Sequence, residues 1–193
     1  MLTAGQVIDN PVLGMRMLIG KTARETGGLA FEADYVLRPG FAPGFPGEHI
    51  HPSARESFTI LSGSAQYRLD GKTFSAQTGD DFQIAPRSAH VHPWNVGSTE
   101  LKMRQVTTLP VANSEAIDAA ANLFETAFGL ARDGKVDPRG FPNLFQLGVC
   151  QTARAPLAYA PGLPFSVQYY LLATLGVIGR ALGYRATYPQ YGG

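Results

Sequence analysis

The sequence predicts a mainly β protein, a sandwich or barrel, followed by an α-helical extension. From about residue 15 to residue 109, short runs of alternating apolar and polar side chains are separated by turn signals. After Pro110 the apolar residues recur at helical spacing instead. We therefore expect residues 1–110 to form a β-barrel domain. Residues 111–193 are expected to form helices that pack on the barrel or on a second subunit.

The strands are predicted from period-two alternation, which places every second side chain on one face of a sheet. The predicted strands are residues 29–37, 57–61, 65–69, 72–76 and 101–107. Asp70-Gly71 lies between two of these runs and indicates a two-residue hairpin turn. Many short strands at this spacing are typical of a sandwich or barrel. The apolar side chains expected to fill it are Phe58, Ile60, Tyr67, Leu69, Phe82 and Ile84.

Three helices are predicted after the strands. The first begins at Asn113 or Ser114, either of which can cap it, and ends near Arg132. A short helix is expected over residues 143–151, and a longer one over residues 165–182 with Gly183 as its C-terminal cap.

Composition limits the classes of function and location. The net charge is only +1 over 193 residues, and no helix-turn-helix pattern is present, so we expect no nucleic-acid partner. The single cysteine, Cys150, cannot form an intramolecular disulfide and is expected to be a small buried residue. The first residues lack the basic and apolar regions of a signal peptide, so the expected location is cytoplasmic.

The most informative stretch runs from residue 49 to residue 63. His49 and His51 are two residues apart and would project from one face of a strand. Glu56 follows, and its carboxylate could converge on the same point from a neighbouring strand. Two imidazoles and a carboxylate at one point are good ligands for a divalent transition metal.

This stretch resembles the first motif of the cupin superfamily, written G-x5-H-x-H-x(3 or 4)-E-x6-G. His49, His51, Glu56 and Gly63 fall on the pattern, and the leading glycine is displaced to Gly44. The resemblance covers about half of the chain. It implies a double-stranded β-helix, that is, a jelly-roll cupin barrel.

A looser match to the second cupin motif, G-x5-P-x-G-x2-H-x3-N, begins at Gly79. Counting from Gly79 places His90 at the histidine position, while Pro86 and Asn95 each lie one residue late. His92 is the rival, because it would share a face with His90 on a regular strand.

The two motifs together imply a metal site made by His49, His51, Glu56 and His90. Three imidazoles and a carboxylate would hold Fe(II), Mn(II), Ni(II), Zn(II) or Cu(II). Such a set leaves one or two positions open, as a Lewis-acid or oxygen-activating site requires. His92 is either the alternative fourth ligand or a hydrogen-bonding or proton-transfer group beside the metal.

Two classes of function follow from these observations. The first is a metal-dependent oxidoreductase of dioxygenase type that acts on a small, partly apolar organic molecule, with an isomerase or a lyase on the same metal as a variant. The second is a non-catalytic cupin that binds or senses a small molecule in the barrel.

The C-terminal part resembles the helices that follow the barrel in a group of single-domain bacterial cupin proteins. The matching segments are Asp133-Gly-Lys135, Pro142-Asn-Leu-Phe-Gln-Leu147 and Leu182-Gly-Tyr-Arg185. Residues 138–193 carry four arginines and no acid, whereas residues 1–137 have a net charge of −3. Residues 165–179 carry no charge and are expected to form a buried helix or the contact of a homodimer. Attachment of this basic, apolar tail to a membrane surface is the alternative.

Overall fold

The computed structural model describes residues 2–152 and 158–192. Over these residues the chain forms nine β-strands, one short helix among them and three longer helices after them. The strands are β1 Val7–Asn10, β2 Met15–Lys21, β3 Ala30–Leu37, β4 Arg55–Ser62, β5 Ser64–Leu69, β6 Lys72–Gln77, β7 Asp81–Ile84, β8 His90–Asn95 and β9 Leu101–Thr108. The helices are α1 Ala23–Thr26, α2 Ser114–Arg132, α3 Leu144–Thr152 and α4 Phe165–Ala181.

The strands form two antiparallel sheets. The larger has six strands in the order β1-β2-β3-β9-β4-β7, and the smaller has three in the order β6-β5-β8. Strands that are consecutive in the sequence are not always neighbours in a sheet. For example, β9 lies between β3 and β4. This is the double-stranded β-helix with a helical extension that the sequence predicted.

The central strands β3 and β9 show why the sheet has one buried face. Burial alternates residue by residue along both strands, as period-two geometry requires. Tyr35 pairs directly with Met103, and Ala33 with Gln105, so these inward side chains form neighbouring rows. Most inward positions are apolar and form the core, but Gln105 is polar and almost fully buried.

The strand prediction was incomplete. The strands β1, β2 and β7 were not among the predicted ranges, because they are short or do not alternate cleanly, and β8 was expected only as the strand that carries His90 and His92. The segment that carries His49 and His51 was expected to be a strand, but it forms only isolated bridges before β4. The backbone of His49 bridges that of His90, and the backbone of Ile50 bridges that of Tyr159.

The three predicted helices are present with small changes at their ends. Asn113 caps α2, because its side-chain oxygen accepts a hydrogen bond from the backbone N–H of Ala116 at 3.0 Å. The helix α4 ends at Ala181, and Gly183 follows it with a φ of +91°, the left-handed conformation expected of a C-terminal glycine.

The helices α3 and α4 pack closely because glycines line their contact. A Cβ atom on Gly148 would lie 2.7 Å from the backbone nitrogen of Gly176, and one on Gly179 would lie 2.8 Å from the carbonyl oxygen of Phe145. Most other positions of α4 are exposed, so the expectation of a helix buried within its own chain was wrong. Among the residues that the structure describes, no helix is long and apolar enough to cross a membrane.

The closing glycine of the first motif, Gly63, should be sensitive to substitution. It joins β4 to β5 with a φ of +95°, and a Cβ atom there would lie 2.9 Å from the carbonyl oxygen of Glu100. Gly71 has a φ of +77° but nothing within 4 Å of the same position. We expect Gly71→Ala to lower the free energy of unfolding by about 1 kcal/mol through backbone strain, and Gly63→Ala by about 2–3 kcal/mol.

Urea denaturation of both variants and the wild type measures this difference. Equal losses at the two glycines would contradict the importance of the close approach at Gly63.

Candidate metal centre

The ligands predicted from sequence come from three segments that the fold brings together. His49 and His51 lie before β4, Glu56 is the second residue of β4, and His90 is the first residue of β8. Two backbone hydrogen bonds of 2.9 Å join His49 and His90, from each N–H to the other residue's carbonyl oxygen. This bridge holds the first motif against the second, and it explains why side chains 41 positions apart in sequence meet.

The four side chains form one buried cluster. Their ligand atoms all lie within 4.8 Å of one another. His90 Nε2 lies 2.9 Å from Glu56 Oε2, His51 Nε2 lies 3.2 Å from Glu56 Oε1, and His49 Nε2 lies 3.2 Å from His51 Nε2. The group could therefore hold a metal ion.

The protonation of two imidazoles fits a bound cation. His49 Nδ1 lies 2.9 Å from the carbonyl oxygen of Gly47, and His90 Nδ1 lies 3.1 Å from that of Ser88. A carbonyl oxygen can only accept, so each Nδ1 carries a hydrogen, and each ring in its neutral form would present the Nε2 lone pair to a metal ion. Lone pairs that converge at this distance repel one another unless a proton or a metal ion lies between them.

The charge of the cluster also fits a divalent ion. Burial opposes ionisation of Glu56, but the charge of His92 and hydrogen bonds from His51, His90 and His92 hold its pKa well below the usual range. Burial, with the charges of His92 and His90, holds the pKa of His49 well below its usual value. These shifts favour a carboxylate at Glu56 and a neutral imidazole at His49, the forms that bind metals.

His92 lies beside the four ligands and on the side of the cavity. Its Nε2 lies 3.0 Å from Glu56 Oε2, almost as close as that of His90. The His92 side chain is 12% exposed and lines the cavity, whereas that of His90 is 1% exposed. Both rings face the cluster although the pairing of β8 with β5 is irregular between them.

Two residues that the sequence analysis missed hold Glu56 from the opposite side. Gln105 Nε2 donates to Glu56 Oε1 at 2.6 Å, and the Thr107 hydroxyl donates to the same oxygen at 3.2 Å. Thr107 pairs directly with Glu56 across β9 and β4, which places it beside the carboxylate. The available signal was the alternation of β9, in which Gln105 and Thr107 occupy inward positions after Leu101 and Met103.

A cavity of about 240 Å³ adjoins the cluster. The barrel side supplies a mostly polar wall, and its polar residues include Tyr35, His49, His51, Glu56, His92, Gln105 and Thr107. The three long helices supply the opposite, mostly apolar wall, and their contributions include Leu123, Phe124, Leu147, Phe165 and Leu172. The helical extension is therefore part of the site.

Other residues singled out in the sequence have structural positions. Phe58, Ile60 and Ile84 are fully buried in the barrel core, as predicted. Tyr67, Leu69 and Phe82 are partly buried and pack against that core. Cys150 is buried, also as predicted, but its α3 position places it on the cavity wall. Burial raises the pKa of its thiol to about 11.

Residues 41–47, which precede His49, contribute to the cavity wall. Phe45 is buried, and its ring packs edge-to-face on Phe124 of α2 and on Phe141. Pro46 lines the cavity directly. The displaced motif glycine, Gly44, is required here because a Cβ atom would lie 2.4 Å from the carbonyl oxygen of Arg139.

Replacing His90 should reduce metal binding more than replacing His92. His90 belongs to the buried group of four, whereas His92 stands at the cavity wall. We expect His90→Ala to lose bound metal, and His92→Ala to retain it with an affinity reduced by about 10-fold to 100-fold. Elemental analysis after expression with iron, manganese, nickel, zinc and copper checks this, with circular dichroism to verify folding. A larger loss of metal in His92→Ala would make His92 the fourth ligand.

Comparison with known proteins agrees with the observed sheets. Residues 35–108 match the family described as the Cupin domain. A crystal structure described as a predicted oxalate decarboxylase from Thermotoga maritima is 21% identical, with 56% of this chain and 98% of that chain covered and a TM-score of 0.48.

A second crystal structure, an uncharacterized conserved protein with a double-stranded β-helix domain from Klebsiella pneumoniae, is 18% identical, with 58% and 85% covered and a TM-score of 0.42. Among curated proteins none matches the sequence significantly. Likenesses of this strength carry no argument about a ligand or a reaction. The family match and the two sheets show that this chain contains a cupin domain, which spans residues 35–108.

Proposed function

We propose that this protein is a metal-dependent enzyme, an oxidoreductase of dioxygenase type that acts on a small, partly apolar organic molecule. The observation that carries the proposal is the position of the histidine and glutamate cluster at the wall of a cavity of about 240 Å³. A metal site used only for stability would not need its protein ligands to line a cavity of this size. Cavities with a few polar groups on one wall are typical of small-molecule sites.

The donor set suits this chemistry. Three imidazoles and one carboxylate fit Fe(II), Mn(II), Ni(II), Zn(II) or Cu(II), and they leave open positions on an ion that prefers six ligands. When bound, such an ion supplies Lewis-acid or oxygen-activating chemistry. A dioxygenase consumes one O₂ for each substrate and places both oxygen atoms in the product, so it needs no separate reductant.

The residues of the chain have distinct roles in this proposal. Gln105 and Thr107 fix the orientation of the Glu56 carboxylate through hydrogen bonds to Oε1. The apolar helices exclude water from the cavity, which strengthens electrostatic interactions inside it. His92, whose Nε2 lies 3.0 Å from Glu56 and whose side chain lines the cavity, would hold or transfer a proton of the substrate.

One observation favours a second function, that of a non-catalytic cupin which binds or senses a small molecule. Phe165 and Leu172 of α4 line the cavity, while Tyr170 and Val177 of the same helix are exposed. A ligand in the cavity would therefore contact a helix whose other side is free to meet a partner.

Metal analysis and oxygen uptake together distinguish these functions. We expect purified wild-type protein to hold about one divalent ion per chain, and Glu56→Gln to lose most of it because the only anionic ligand is removed. Oxygen consumption is then measured with a panel of small phenols, ketones and amides. Thr59→Ser, a substitution at an exposed hydrogen bond of β4, serves as the control.

Each outcome of these measurements supports a different function or refutes the enzyme. Metal-dependent oxygen uptake supports a dioxygenase, and metal-dependent conversion without oxygen supports the isomerase or lyase variant. Ligand binding without conversion supports the sensing function. Absence of metal from wild-type protein grown with all five metals would refute the enzyme.

We also propose that α4 forms the contact of a homodimer. Tyr170 and Val177 are 70% and 69% exposed and lie seven residues apart, on the same stripe of the helix. Arg180 is the only charged residue of α4, so two such helices would not repel each other. A helix at a membrane surface would instead carry a strongly charged face, which α4 lacks.

Charge introduced on this stripe should disrupt the dimer. We expect Val177→Lys to convert the protein to a monomer in analytical ultracentrifugation, because a lysine would be buried without a partner at the contact. Val111→Lys is the matched control, since Val111 is 74% exposed and lies before α2. A monomeric wild type, or a dimer that survives Val177→Lys, would refute the contact.

A further inference from the structure

Two polar atoms near the metal centre have no hydrogen-bond partner among the residues that the structure describes. They are the hydroxyl oxygen of Tyr35 and the side-chain oxygen Oε1 of Gln105. Tyr35 is 2% exposed and Gln105 is 4% exposed, and both line the cavity. Buried polar atoms are almost always paired, so these two point to a molecule that the cavity is built to receive.

The chemical roles of the two atoms are defined by their surroundings. The Gln105 amide must turn its Nε2 toward Glu56, because a carboxylate accepts hydrogen bonds and cannot donate them. The amide oxygen is therefore left as an acceptor. Burial and the charge of Glu56 raise the pKa of Tyr35 well above its usual value, so its hydroxyl remains a donor.

The two atoms belong to one wall. Tyr35 pairs with Met103 across β3 and β9, and Gln105 is the next inward residue of β9. Diagonal neighbours on one face of a sheet are close enough for their side chains to meet one molecule. Gln105 also contacts Glu56, so the same molecule would lie beside the metal ligands.

The rest of the cavity indicates an apolar body of limited size. Phenylalanine rings line it from several parts of the chain, and they are Phe31, Phe45, Phe124, Phe141 and Phe165. A volume of about 240 Å³ holds roughly eight water molecules, which corresponds to one ring with short substituents. Among the lining residues that the structure describes, the charged side chains other than histidine are Glu48 and Glu56. Glu48, which is outside the metal group, repels an anion, and a carboxylate has no donor for the Gln105 oxygen.

We propose that the cavity binds an uncharged, largely apolar molecule of one-ring size whose polar end combines an acceptor oxygen for Tyr35 with a donor O–H or N–H for Gln105. Hydroxyketones, enols and primary amides belong to this class, whereas carboxylates do not. This assignment rests on the proposed function in so far as it makes the molecule the substrate of the metal centre. The hydrogen-bond pattern itself depends only on residues of the chain.

Three ligands of nearly equal shape test the assignment. Benzamide offers both the acceptor and the donor, acetophenone offers only the acceptor, and benzoate is an anion with acceptors alone. Their dissociation constants are measured by titration calorimetry on zinc-loaded protein, because zinc has no redox chemistry. We expect benzamide to bind tightest, and acetophenone to bind about fivefold more weakly because Gln105 is left unpaired.

The variant Tyr35→Phe separates the two contacts. It should weaken benzamide and acetophenone by a similar factor of about five, and it should leave the preference for benzamide unchanged. Tyr67→Phe is the matched control, since Tyr67 does not line the cavity, and its affinities should equal those of the wild type. Metal content is measured for each protein, so a loss of metal is not mistaken for a lost hydrogen bond.

Three results of these titrations would overturn the assignment. Benzoate as the tightest ligand of the wild type would show that charge at the metal decides binding. Unchanged affinities in Tyr35→Phe, or no binding of benzamide to the wild type, would show that the two atoms do not receive the ligand. If the wild type holds no metal, the proposed enzyme fails, and the same titrations on metal-free protein still decide the hydrogen-bond pattern.

Discussion

The burial of the Glu56 carboxylate is the constraint on which the rest of this structure depends. A buried charge is stable only when donors or opposite charges surround it. Here the polar partners come from separate parts of the chain: Gln105 and Thr107 donate to one oxygen from β9, while the ring nitrogens of His90 and His92 lie within 3.0 Å of the other from β8. Both sheets must therefore be assembled before the carboxylate is satisfied. The polar centre is thus a consequence of the barrel closing around it.

The barrel alone does not complete the cavity. The helices that follow it supply the apolar wall, so the ligand space lies between two parts of the chain that differ in composition and charge. The two parts of the chain therefore contribute different properties to the site. The sheets hold rigid polar groups at fixed spacing, and the helices provide an apolar surface that determines the size and shape of an acceptable ligand. Differences in the helical extension would change specificity without disturbing the metal ligands.

The helix α4 connects the interior with the surface. Phe165 and Leu172 line the cavity, while Tyr170 and Val177 present an apolar stripe on the outside. Its contact with α3 relies on glycines at closest approach, which leaves little freedom for the two helices to move independently. Coverage of the outer stripe by a second copy would hold α4, and with it one wall of the cavity. Assembly and ligand binding are therefore expected to reinforce each other.

The strand periodicity, the helical periodicity and the first motif were sufficient to predict the barrel, the helical extension and four residues that the structure brings together. Local patterns record which face of a strand or helix is buried, and that information lies within a few residues of sequence. Alternation also places Tyr35 and Gln105 on inward faces, but their contacts at the site and the cavity-lining side of the helices could not be predicted in this way. Their roles arise because β9 pairs between β3 and β4 and because helices of the extension line the same cavity as the barrel. Such long-range contacts do not affect the spacing of residues along the sequence.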